Sequence, residues 1–135
     1  MNTRQKISFL SQYKYCMVRL ETLMEEREKW FTIGTKVNSV SDGMPHASSD
    51  ESKVERSAVA IAEITHEIDT EICVLQHKRQ VVQDVISKVE NHKRRAVLEM
   101  RYITGMKFSE IADAFDDTER NIYEAHKKAI EGLKI

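Results

Sequence analysis

Four side chains near the middle of the chain are of metal-binding type: Glu63, His66, Cys73 and His77. On a helix Glu63 and His66 share a face at i, i+3, and Cys73 and His77 share one at i, i+4. A zinc site needs four ligands converging on one point, and these pairs stand about two turns apart, so solvated helix side chains are expected instead. The chain has no glycine-rich phosphate loop, no His-Glu-x-x-His and no nucleophile elbow. Neither catalytic residues nor a metal nor a cofactor is therefore expected, and the chain is not read as an enzyme. Recognition chemistry is better represented. Glu119 and Arg120 are adjacent; an arginine fork can grip guanine at two atoms, and a carboxylate can accept from cytosine. Basic residues flank them, with His92 to Arg95 and Arg101 ahead and Lys127 and Lys128 behind.

Such residues need a rigid scaffold, and residues 95–133 carry the pattern of one. RAVLEMRYITGMKFSEIADAFDDTERNIYEAHKKAIEGL reads as short helices at the spacing of a helix-turn-helix. Ile111, Ala112, Phe115, Ile122 and Ala125 fall where such a unit places its interhelical core. Ala112 must be small so that the second motif helix can cross close by, and Ile122 is the branched knob that fills the space beneath. Asp116 and Asp117 make the turn, and Thr118 is placed to cap the second helix with its hydroxyl. Upstream, Asn91 is placed to cap a preceding helix that ends at Gly105.

This stretch resembles region four of bacterial sigma factors over about forty residues. The matching segments are VLEMRY, the Glu110-Ile111-Ala112 core, Thr118 to Ile122, Lys128 to Ile130, and Leu133. The resemblance implies that the second motif helix enters the major groove of double-stranded DNA, with Glu119, Arg120, Tyr123, Glu124 and Lys127 as its reading surface. Lys107, Thr118, Asn121, Lys128, Arg94, Arg95 and Arg101 join them as candidate DNA contacts. Three positions depart from the pattern. Asp116 replaces a glycine usual at the turn, Asp117 an apolar residue, and Lys107 a Ser or Thr cap. Over residues 91–135 nine Lys or Arg meet eight Asp or Glu, a smaller surplus than phosphate binding usually brings. Taken whole, with its Gly43–His46 loop, the chain is similar to a family of small regulators from phages and prophages of Gram-positive bacteria. That likeness implies transcription regulation, and the resemblance to region four implies contact with RNA polymerase.

The preceding ninety residues read as two long helices. Ile7, Leu10, Tyr13, Met17, Leu20, Met24 and Phe31 recur at steps of three and four, with Arg27 in the one slot that is not apolar. A second series runs Ala58, Ile61, Thr65, Ile68, Ile72, Leu75, Arg79, Val82, Ile86, Val89. Alternating steps of this kind predict coiled-coil packing. Helices over about 3–31 and 49–90 are expected, the second about 60 Å long, joined by a loop over 32–48. Gly34 would end the first helix, and Ser48 with Glu51 forms a capping box for the second. Folding back as an antiparallel hairpin with Phe31 beside Asp50 sets Leu20 against Ile61 and Tyr13 against Ile68. Val82, Val85, Ile86 and Val89 then lack a partner. The C-terminal helices are expected to cover them, with a homodimer through the hairpin as the alternative.

Bulk composition agrees. One Pro and four Gly in 135 residues, beside 32% charged residues, favour long helices over a sheet. The formal net charge of −1 gives no broad attraction to polyanions. Cys16 and Cys73 form no disulfide framework, and no apolar stretch is long enough for a membrane span, so a cytoplasmic chain without membrane contact is expected. The fold expected is all-α: a helical hairpin over 1–90, then a three-helix helix-turn-helix domain over 91–135. The functional expectation is DNA binding in transcription regulation of phage or prophage genes. A polymerase-binding adaptor without DNA recognition, and a DNA-recognition subunit of a phage packaging motor, are the alternatives.

Overall fold

The computed structural model describes residues 1–39 and 47–135, and the side chains of 1–35 and 52–135. Among the described residues every regular element is helical: α1 Thr3–Leu10, α2 Gln12–Ser39, α3 Ala47–Ser87, α4 His92–Glu99, α5 Phe108–Ala114 and α6 Glu119–Glu131. A π turn, Met100–Thr104, extends α4. Ser48 and Glu51 fall within α3, but the side chains that would form their capping box, like the Gly43–His46 loop, lie outside what is described.

Local chemistry accounts for the helix ends. Asn2 opens α1 with a reciprocal box, its Oδ1 accepting from the Gln5 N–H at 2.9 Å while Gln5 Oε1 accepts from the Asn2 N–H at 3.0 Å. At Ser11 the chain breaks step, the hydroxyl donating back to the Ile7 carbonyl at 2.7 Å. Gly34 does not end a helix, because α2 runs on to Ser39. Asn91 caps α4 as expected, its Oδ1 accepting from the Arg94 N–H at 3.0 Å. Gly105 ends the π turn at φ 82°, a left-handed conformation that glycine adopts without Cβ strain.

The chain divides into two compact units. One is Val18–Cys73, an antiparallel pair from α2 and α3. Leu23, Ile64 and Ile68 are its buried core, with Leu20 and Trp30 packed on them. The register differs from the one expected. Arg19 Nε lies 3.3 Å from Glu71 Oε2, not beside Ala62 as pairing Phe31 with Asp50 requires. Arg27 donates to Thr65 Oγ1 at 3.5 Å, and a Cβ on Gly34 would stand 3.5 Å from that of Ser57. The shift accompanies the extra length of α2, which passes Gly34 and runs to Ser39.

The other unit joins Met1–Met17 to Val74–Ile135. A boundary at residue 90 would therefore cut through shared contacts. Leu10 of α1, Val82 and Ile86 of α3, Leu98 of α4, and Ile130 of α6 meet in one core, each 0% exposed. Tyr102, Ala129 and Leu133 complete it. The stripe at the end of α3 thus finds its partners within the chain. Each such aliphatic side chain contributes about 1.5–3 kcal/mol by leaving water. Lys6 fastens α1 to this core from above, its Nζ donating to the carbonyls of Ile130 at 3.2 Å and Glu131 at 3.3 Å. A cation at those carbonyls also offsets the negative end of the α6 dipole.

Candidate nucleic-acid interface

The helix-turn-helix core forms as its spacing predicts. Val97, Ile111 and Ile122 are 0% exposed and Ala112 is 3% exposed, with Phe115 and Ala125 packed against them. Between α5 and α6 the turn is a Schellman cap. The Asp117 N–H donates to the Ala112 carbonyl at 2.9 Å, and the Asp116 N–H to the Asp113 carbonyl at 3.1 Å. Asp116 takes the left-handed position at φ 51°. Thr118 then caps α6, its Oγ1 accepting from the Asn121 N–H at 3.2 Å.

Asp117 has a polar task. Its Oδ1 accepts from the Thr118 N–H at 2.8 Å and from Asn121 Nδ2 at 2.7 Å. Its Oδ2 accepts from Lys93 Nζ at 2.8 Å, which ties α4 to the turn. These donors, Lys93 foremost, hold the carboxyl down to about 2. The pairing of Lys93 with Asp117 escaped the sequence reading because the two are 24 residues apart and nothing local marks them as partners.

Glu119, Arg120, Tyr123, Glu124 and Lys127 are all exposed, so this side of α6 is presented to solvent. Tyr123 is 50% exposed, yet its ring is seated on Phe108, with centroids 4.4 Å apart. Arg101 lies 4.3 Å over the other participant, Phe108, and donates to the Met106 carbonyl at 3.1 Å. That ring also meets His126 edge-on at 5.1 Å. Behind this cluster His126 Nε2 lies 2.7 Å from the Tyr102 hydroxyl. Burial pushes His126 down to about 4, helped by the nearby Arg101 charge. Burial likewise pushes Tyr102 up to about 12. Near neutral pH both are uncharged, and the pair is a fixed support for α6.

The remaining candidate contacts scatter. Lys107 is exposed at the start of α5, where it gives no side-chain cap. Arg101 is half-buried and engaged over the Phe108 ring, and Asn121 is committed to the turn. Arg95 is half-buried, with Nη2 2.8 Å from His92 Nδ1. Arg94 and Lys128 line a cleft formed with the end of α3. Among the described residues no three His, Cys, Asp or Glu side chains converge as metal ligands.

The structure is thus that of an all-helical protein ending in a helix-turn-helix. The chain belongs to a family described as a protein of unknown function (DUF1492), whose model matches residues 38–134. No curated protein and no solved structure matches it.

Proposed function

We propose that this protein is a DNA-binding transcriptional regulator of the sigma-region-four-like kind, serving phage or prophage genes, with α6 reading the major groove. The observation that carries this reading is the solvent-facing row Glu119, Arg120, Tyr123, Glu124 and Lys127, on a helix capped by Thr118 and braced by Phe108. In such a motif the first exposed residues of the second helix meet base edges, and neighbouring cations meet phosphates. Fluorescence anisotropy with duplexes from host prophage promoters tests the reading. Preference over scrambled duplex, and affinity that falls as salt rises, are expected. Equal binding to both duplexes at low salt would count against it.

A second reading rests on charge. From Lys107 to the end of α6 the exposed charges are Glu110, Asp113, Asp116, Glu119, Glu124 and Glu131 against Lys107, Arg120, Lys127 and Lys128, a poor match to a polyanion. An adaptor that grips RNA polymerase without DNA would tolerate this. Retention of polymerase subunits on the immobilised protein, undiminished by nuclease, would favour the adaptor.

A further inference from the structure

A cleft of about 550 Å3 opens between the end of α3, the start of α4 and the end of α6. Val85, Val89, Ala129 and Leu133 give it an apolar wall. Lys88, Arg94, Lys128 and Lys134 bring four cations to it, and Glu90 the one carboxylate. Among the described residues none of these cations has an ion-pair partner. In a chain of net charge −1, so uneven a lining concentrates positive potential in one concavity.

The backbone around the cleft favours an anion as well. Carbonyls at the end of α6 would repel one, but three of them, on Lys128, Ile130 and Glu131, already hold donors. Lys128 O accepts from the Gly132 N–H at 3.1 Å, and Ile130 O from the Leu133 N–H at 3.2 Å. The Lys6 ammonium covers Ile130 and Glu131. From the other side the positive end of α4, at Asn91, borders the cleft.

We propose that this cleft is a binding site for a free nucleoside di- or triphosphate. A bare phosphate is too small for it, whereas its volume falls in the range of about 300–1,000 Å3 that holds compact organic ligands. The phosphates meet the four cations, with the half-buried Arg94 guanidinium able to grip two oxygens at once. The flat base lies on the aliphatic wall, and Glu90 accepts from sugar hydroxyls or a base amine.

Calorimetric titration of the full chain with nucleoside triphosphates, pyrophosphate and a short duplex, each alone, tests this assignment. Saturable one-to-one nucleotide binding is expected, tighter than for pyrophosphate, which lacks the base. Arg94→Gln and Lys128→Gln should each weaken it about tenfold or more. Lys128 is exposed, so its loss leaves the core intact. Arg120→Ala should leave nucleotide affinity unchanged, which separates this site from the reading face of α6. Absence of saturable nucleotide binding at low salt overturns the proposal, as does nucleotide binding that ignores both cleft variants. Duplex binding weakened by Arg94→Gln with nucleotides inert also overturns it, since the phosphate partner is then the DNA backbone.

Discussion

At Asp116 the backbone sits at φ 51°, in the position of the α5 cap that glycine fills with least strain. Aspartate tolerates that region better than most residues, but its Cβ still costs something there. Asp116→Gly should therefore raise stability by about 0.5–1 kcal/mol in chemical denaturation, and a loss would show that the aspartate side chain stabilises the turn. His126 sets a pH dependence. Its folded pKa of about 4 lies below the ordinary value of 6.5, so the unfolded chain takes up the proton first as pH falls. Its contribution is complete above pH 6.5 and is lost progressively as pH drops through 4. Melting temperature should fall across that window, and fall less steeply in His126→Gln. Equal slopes in the two proteins would show that other groups govern the acid transition.

The helix-turn-helix was legible element by element because its constraints are local. A small Ala112, a branched Ile122 and a hydroxyl at Thr118 each answer one steric or capping need, and each sits where that need arises. The hairpin was legible only as a hairpin. Met17, Met24 and Phe31 repeat every seven residues, but so do Cys16, Leu23 and Trp30, one step back around the same helix. Leu23 is 5% exposed and Met24 48%, so the burial chose the second series. Periodicity alone cannot separate two apolar stripes offset by one residue. On α3 the same offset puts Ile64 in the core where Thr65 was expected. Ser57 fills another inner position at 2% exposure, and its hydroxyl lacks a partner among the described residues. Ser57→Ala should stabilise the hairpin by up to about 1 kcal/mol in urea unfolding, because an unmet buried hydroxyl is removed. Gly34 tests the register from the other helix. It lies inside α2 with 3.5 Å to the nearest Ser57 atom, so Gly34→Ala should add up to about 1 kcal/mol. Destabilisation would instead support a helix end there.

For the whole molecule, the distribution of charge matters more than its sum. Lys88, Arg94, Lys128 and Lys134 come from three separate segments, so no run in the sequence announced the cleft they share. The exposed row on α6 holds two cations, Arg120 and Lys127, beside two carboxylates, Glu119 and Glu124. Any DNA recognition by this face must then rest on base contacts more than on phosphate attraction, and its salt dependence should be shallow. Arg120→Ala should cost about 1–3 kcal/mol on a preferred site and relax the choice of base opposite it.

Selection from a pool of random duplexes tests the central claim without a known operator. The full chain should enrich a defined motif over successive rounds, and Arg120→Ala should lose one or more positions of that motif. A pool that remains random, or a motif identical for both proteins, would contradict α6 as the reader of DNA.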